Sequence, residues 1–250
     1  MGKLLKSERQ RRILETVRNT GQITVTQFSQ LFQTSEVTIR RDLEELANEG
    51  VLYRTHGGAI AISLGPPEAP VIQRMSHAEQ VKTSIGHAAA DLITDGESVF
   101  IGSGSTAAYV ARHLIKRKDL NVVTNALTVA IELASAEGVS VVVTGGIMRD
   151  SELSLIGHIT EQALQEVRVD KIVMGIPAIS LKEGLTNDYL PEVKTDRTII
   201  ELASEFILVA DHTKLGKVRS AYVAPVTKVT TLVTDSNTAV SYTHLTLPTN

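Results

Sequence analysis

The stretch Thr34-Ser35-Glu36-Val37-Thr38-Ile39-Arg40-Arg41-Asp42-Leu43, followed by Arg54-Thr55-His56-Gly57-Gly58, constrains this chain more than any other. Upstream, Ser7-Glu8-Arg9-Gln10 is a capping box, with Ile13, Leu14 and Val17 recurring at helical spacing until Gly21 supplies a stop. Thr24-Val25-Thr26-Gln27 is a second capping box. It opens a short helix whose apolar side is Phe28, Leu31 and Phe32, and Ser35 follows after a short turn as the cap of a third helix. Two helices joined so closely have the spacing of a helix-turn-helix, and the Arg54–Gly58 phrase behind them reads as the start of a wing.

The third helix can be resolved by face. At about 100° per residue, Ile39, Leu43 and Leu46 form one stripe with Ala47 beside it, directed at the first two helices. Val37, Thr38 and Arg41 point away, and Arg40 sits on the flank. Glu44, Glu45 and Glu49 occupy the C-terminal half, where they would repel phosphate, so only the first two turns suit a major groove. The residues assigned to DNA are Ser35, Glu36, Val37, Thr38, Arg40, Arg41, Arg54 and His56. Thr38 and Arg41 are placed at base edges or nearby phosphates, and Arg40 at phosphate. The plain alternative is an ordinary solvated pair, Arg40 and Arg41, bridging to Glu44 and Glu45.

The net charge of −3 divides unevenly: nine Lys/Arg face seven Asp/Glu through residue 60, against 16 and 21 in the remainder. A basic head on an acidic body suits nucleic acid, but a surplus of two is small, so useful affinity requires a dimer or tetramer. Aromatic content of 4% argues against stacking platforms for single strands. The absence of cysteine excludes disulfides and thiolate metal sites and fits a reducing compartment. Neither a secretory signal nor a run of about 20 apolar residues is present, so a soluble cytoplasmic protein is expected.

Gly65, Pro66, Pro67 and Pro70 interrupt periodicity, which places a linker at 61–71 between a head at 5–60 and a second domain at 72–240. An amphipathic helix is expected over His77–Ile93. From Glu97, short β-branched runs (Ser98–Ile101, Asn121–Thr124, Ser140–Thr144, Lys171–Met174, Phe206–Ala210, Val229–Thr234) alternate with helical stretches. That alternation predicts an α/β fold with a doubly wound, mainly parallel sheet, whose ligands sit at the strands' carboxyl ends. Gly102-Ser103-Gly104-Ser105-Thr106 follows the first strand and opens a helix, offering amides and hydroxyls to an anion. It lacks a P-loop lysine and the dinucleotide fingerprint, so no nucleotide cofactor is expected. Loops at Thr124-Asn125, Thr144-Gly145-Gly146, Gly184–Asp188 and Asp211–Lys214 should converge on the same edge. Lys194 and Lys214 are candidates for phosphate, Asn125 and Asp211 for sugar hydroxyls. Arg149 and Asp150 read equally well as a surface pair.

The phrase Thr38-Ile39-Arg40-Arg41-Asp42-Leu43, Glu45-Leu46, Gly50 and Arg54-Thr55-His56-Gly57-Gly58-Ala59 resembles the DeoR family of bacterial transcriptional regulators. Arg74, Lys82, Gly104-Ser105-Thr106, Thr124-Asn125, Gly145-Gly146, Gly157, Gly184-Leu185-Thr186, Lys194 and Ala210-Asp211-His212-Thr213-Lys214 fall in that family's order as well. The resemblance implies a winged helix-turn-helix, its helix-turn-helix at about 23–42, and a sensor domain related in fold to ribose-5-phosphate isomerase and CoA-transferase-like enzymes. It also implies operator DNA and a phosphorylated sugar as partners, and repression as the usual output. Gly102 stands where many members carry aspartate, and 241–250 leaves the family pattern and reads as a non-native tail. The rival from another class is a sugar-phosphate isomerase carrying a DNA-binding head, with Asp211 as base and Lys214 as electrophile.

Overall fold

The computed structural model describes residues 6–20, 22–48, 52–55, 57–61, 68–238 and 242. The chain forms two compact units, Met1–Pro67 with Lys217–Ser220, and Glu68–Gly216 with Ala221–Asn250.

In the first unit, helix α1 (Lys6–Thr20) precedes strand β1 (Gln22–Thr24), helices α2 (Val25–Phe32) and α3 (Glu36–Asn48), and the ribbon β2 (Leu52–Thr55) and β3 (Gly58–Ala61). Ser7 lies inside α1 rather than capping it. The second capping box is present: Thr24 accepts the Gln27 amide while the Gln27 side chain takes the Thr24 amide. Gln33 ends α2 in the left-handed region (φ 49°), which turns the chain sharply toward α3. Ile13, Val17, Val25, Phe28, Ile39, Leu43, Leu46 and Leu52 form the core, whereas Leu31, expected on the apolar side of α2, is 56% exposed. β3 pairs antiparallel with both β1 and β2, making the sheet of a wing. Gly58 is required there, because a Cβ would lie 2.1 Å from the Ile23 carbonyl oxygen.

The second unit begins earlier than the expected linker end: Val71 is buried and its amide donates to the Ser151 carbonyl at 2.7 Å. Helices α4 (Val71–Ser76) and α5 (Glu79–Ala90) lead into β4 (Ser98–Ile101), α6 (Ser105–Leu114), β5 (Leu120–Thr124), α7 (Leu127–Leu133) and β6 (Val139–Val143). A hairpin follows, β7 (Ile147–Arg149) and β8 (Ser154–Ile156), then α8 (His158–Gln165) and β9 (Lys171–Met174). β10 (Ala178–Ser180), β11 (Gly184–Asn187), α9 (Leu190–Ile200), β12 (Glu205–Val209), β13 (Ala221–Ala224) and β14 (Thr231–Val233) complete the order. The main sheet is β14-β12-β9-β4-β5-β6, every pairing parallel.

Alternation along the strands sorts side chains to the two faces. Val99 and Ile101 join α5, α6 and α7 in one core, while Phe100 joins α8, α9 and the small antiparallel sheet β10-β11-β13 in the other. α6 lies close to α5: a Cβ on Gly86 would meet the Tyr109 backbone at 2.7 Å. The hairpin β7–β8 and the small sheet were not apparent from periodicity. Gly184–Asn187, expected as a loop, is strand β11, paired on both sides. Of the segment 241–250 only Tyr242 is described; its ring is buried and its hydroxyl accepts the Gly216 amide at 2.9 Å.

Candidate functional site

On α3 the sequence assignments separate by role. Ser35 accepts the Thr38 amide at 3.2 Å and caps the helix, so its hydroxyl serves the fold. Val37 is 76% exposed, and the Arg41 side chain 82%. Arg40 pairs with Glu36 at 3.1 Å, not with Glu44, and Glu36 also accepts from Thr26. Arg41 approaches Glu45 at 3.7 Å, and Arg54 on the wing approaches Glu44 at 3.6 Å. The helix face free of the core thus carries Val37, Thr38, Arg40 and Arg41, with its acidic residues drawn off as partners. His56 lies outside the described residues.

Underneath is an ion pair that the sequence did not reveal. Arg9 of α1 and Asp42 of α3 are both buried; Arg9 Nη2 donates to Asp42 Oδ1 at 3.0 Å while Nε donates to Oδ2. The Asp42 hydrogen bonds raise the Arg9 pKa against the opposing effect of burial. This fork fixes α3 to α1.

In the second unit a pocket opens at the carboxyl ends of β4, β9 and β12. This is where the sheet reverses: from β4 the chain builds outward through β5 and β6, then returns to place β9 on the other side of β4. Crevices at such reversals are the usual ligand sites of parallel sheets. Ser103, Gly104, Ser105 and Thr106 line it, as do Asp211 and Lys214. Gly104 precedes α6 at φ 115°, a conformation suited to glycine, and no side chain caps the helix there. The first amides of α6 and its dipole therefore face the pocket.

Five expected contacts lie elsewhere. The Gly102 amide is spent on the Val173 carbonyl at 2.8 Å, extending the β4 ladder. Asn125 is buried and does not line the pocket; its Nδ2 donates to the Leu155 carbonyl of β8 at 3.1 Å, while its Oδ1 has no hydrogen-bond partner among the described residues. Gly145 and Gly146 turn the chain into the hairpin, and the Gly145 carbonyl accepts from Thr160 at 2.7 Å. Lys194 has a 78% exposed side chain paired with Glu161 and does not line the pocket.

The pocket's remaining charge comes from Arg74, Lys82, Arg149, Glu68, Glu152, Asp188, Glu192 and Asp196. Lys82 is buried, with Nζ donating to the Arg74 carbonyl at 2.6 Å and to that of His77. Burial lowers its pKa, an effect that Asp211 opposes. Arg74 bridges Glu68 at 2.9 Å and Glu152, and Lys214 also holds Glu68. Arg149, far from being a surface residue, pairs with Glu192, reaches Asp188 at 3.8 Å and stacks 4.4 Å over the Tyr189 ring. Asn187 donates to Asp196 at 2.8 Å and to Glu192 at 3.2 Å. Burial and then Glu192 push the Asp196 pKa upward. The spacing Glu192, Val193, Asp196, Ile199, Ile200 carried the signal: carboxylates at i and i+4 share a helical face with core residues.

Comparisons with known proteins cover both units. The family model of the DeoR-like helix-turn-helix domain matches residues 9–64, and that of the DeoR C terminal sensor domain matches residues 77–236. An uncharacterized HTH-type transcriptional regulator of Bacillus subtilis, YulB, is 33% identical over 233 residues, 93% of this chain and 90% of the relative. The glycerol-3-phosphate regulon repressor of Escherichia coli is 32% identical over 236 residues, 94% of this chain and 93% of its own. Ribose 5-phosphate isomerase A from Methanocaldococcus jannaschii aligns with 55% of this chain and 54% of its own at 20% identity, with a TM-score of 0.41.

Proposed function

The chain belongs to the DeoR family of transcriptional regulators, and from that premise we propose that it represses a sugar-metabolism operon until a phosphorylated sugar releases it from its operator. The observation that carries this reading is the uncapped N-terminus of α6 at Gly104, open to a pocket that also holds Arg74, Lys82 and Lys214. Amides, a helix dipole and convergent cations suit a phosphate, and the carboxylates and Asn187 on the other elements suit hydroxyl donors. The relative from Escherichia coli named for glycerol 3-phosphate is in keeping with an anion of that class.

On the DNA side, Val37, Thr38 and Arg41 enter the major groove, Arg40 and Arg54 take phosphates, and Ser35 and Glu36 shape the helix start. The small charge surplus of the head makes a dimer or tetramer the operator-bound form. Strand β6 gives self-association a surface: it is a sheet edge, Val142 is 50% exposed, and Val139–Met148 carries no charge, so two copies can meet there without opposing like charges. Release follows if the effector binds one arrangement of the heads better than the other.

The isomerase alternative has its residues in the pocket, since Asp211 and Lys214 both line it. Asp211 is engaged as a cap, accepting the Thr213 amide at 2.9 Å, and Lys214 is engaged by Glu68. Asp211 thus serves the local fold, and the match to transcriptional-regulator domains over both units favours binding over turnover. A thermal-shift screen comparing ribose 5-phosphate, glycerol 3-phosphate and the parent polyols tests the reading. A ligand at 100 times its dissociation constant adds about 2.7 kcal/mol. Phosphorylated compounds should stabilise the chain and weaken its hold on a promoter fragment, and Gly104→Asp should abolish both effects while leaving DNA binding intact. Equal shifts with neutral polyols, an unimpaired Gly104→Asp response, or sustained turnover of ribose 5-phosphate would each refute it.

A further inference from the structure

We propose that Glu68 is the built-in counter-ion that the effector's phosphate replaces, and that its displacement is the signal passed toward the DNA-binding head. The proposal rests on reading the pocket as a phosphate site. One carboxylate here serves two cations on different elements: Oε2 meets Arg74 Nη1 of α4 at 2.9 Å, and Oε1 meets Lys214 Nζ in the turn after β12. All three side chains are at most 20% exposed, so water screens the contacts only in part. A phosphate seated at the α6 N-terminus and reaching Arg74 and Lys214 must take the place of this carboxylate.

The exchange is selective. Glu68 is shared by both cations while Glu152 meets Arg74, so a monoanion that displaces Glu68 only replaces one shared charge with another and gains little. A phosphate dianion satisfies both cations and brings further oxygens for the α6 amides. On this exchange, sugar acids and neutral sugars are disfavoured relative to a phosphate dianion.

The same residue stands at the junction of the chain's two units. Glu68 is the first residue of the sensor unit, and Arg74 Nε holds the next carbonyl, that of Ala69, at 2.8 Å. Three residues downstream Val71 is fixed, buried and bonded through its amide to Ser151 at 2.7 Å. With Val71 fixed, the proposed displacement of Glu68 and Ala69 is passed along the covalent chain toward the head.

The test uses the full chain and the variants Glu68→Gln and Glu68→Asp, with inorganic phosphate and glycerol 3-phosphate as probes. Glu68→Gln keeps the shape and removes the charge. It should bind both probes about tenfold tighter, within the ordinary range of couplings between sites. Its affinity for a promoter fragment without ligand should fall toward that of the ligand-saturated wild type. Glu68→Asp, which keeps a carboxylate on the segment, should remain near the wild type in both measurements. Unchanged or weaker probe binding by Glu68→Gln, in a protein whose wild type binds phosphate, overturns the exchange. Tighter probe binding with undiminished DNA affinity overturns the signal. If neither wild type nor Glu68→Gln binds phosphate, the phosphate-site reading fails first and takes the proposal with it.

Discussion

The α3 face carries arginines and the sensor pocket arginines and lysines, and in both the arginines already have carboxylate partners. The setting differs. Arg41 and Glu45, 3.7 Å apart, are 82% and 31% exposed, whereas Arg149 and Glu192 are 15% and 4% exposed. Two charges about 4 Å apart attract by roughly 1 kcal/mol in water and about 4 kcal/mol at the effective dielectric of a partly buried site. On the proposed reading of α3, a DNA phosphate displaces a glutamate at small cost, and affinity accumulates over many weak contacts and released counterions. In the pocket each exchange must be matched by a compact, multiply charged group. The proposed function thus asks similar ion pairs for adhesion to a polyanion in the first unit and for discrimination among small anions in the second.

The sharpest way to break that contrast lies inside the head, where Arg9–Asp42 is a buried pair beneath an exposed one. Asp42→Ala leaves the Arg9 guanidinium buried without its fork, at a cost of about 3–5 kcal/mol. Denaturant unfolding followed by circular dichroism should show the head's transition shifted to lower denaturant or lost, with the sensor's transition and its ligand-induced shift retained. A loss below about 1 kcal/mol would mean that Arg9 finds water, and that burial does not separate the two kinds of pair. Arg41→Ala is next in size: about 1–3 kcal/mol of operator affinity if the side chain reads a base. Fluorescence anisotropy should show the loss on operator DNA, while thermal shifts with sugar phosphates stay unchanged. Undiminished operator binding would reduce Arg41 to a solvated partner of Glu45.

How much was legible in the sequence also differs between the units. In the head, Thr24 and Ser35 announce their helices through local hydrogen bonds, and both caps are where the sequence places them. In the sensor, the strands at Ser98–Ile101 and Lys171–Met174 match to the residue, because a strand buried on both faces reads as an unbroken apolar run. The pocket was legible where segments expected at the strands' carboxyl edge reach it, at Ser103–Thr106, Asn187–Asp188 and Asp211–Lys214. Asn125 and Lys194 suit ligand contacts by residue type, but neither lines the pocket: the Asn125 amide nitrogen bonds β8, and Lys194 pairs with Glu161. Glu68, Arg74 and Glu152 meet across a separation of 78 residues between Arg74 and Glu152, which no local pattern encodes. Arg9–Asp42 escaped for the same reason: the charges lie 33 residues apart.

The smallest expected effect is one of sign, and it separates the units by proton linkage. In the head, hydrogen bonds from Arg11 and Arg12 lower the pKa of Glu8, and those from Lys6 and Gln10, against burial, lower that of Glu45. Such groups stabilise the fold above the ordinary carboxylate range, and the contribution is lost as pH falls through their depressed values. In the sensor, burial raises the pKa of Glu152 against Arg74, and burial with Glu192 raises that of Asp196. Above about pH 4 the unfolded carboxyl has released its proton while the folded one keeps it. Over that interval the unfolded state binds fewer protons, so stability falls with rising pH and levels off once the buried group ionises. Asp235 pulls the other way: despite burial, the hydrogen bonds from His212 lower its pKa, so the sensor's total slope is a mixture. The clean measurement is the difference between wild type and Asp196→Asn, melted from pH 4 to pH 8. The variant should lose part of the sensor's decline toward high pH and leave the head's acid-side loss as it was. A sensor profile that kept its shape in Asp196→Asn would show Asp196 to be ionised throughout, and the acidic wall of the pocket would then hold paired charges rather than a retained proton.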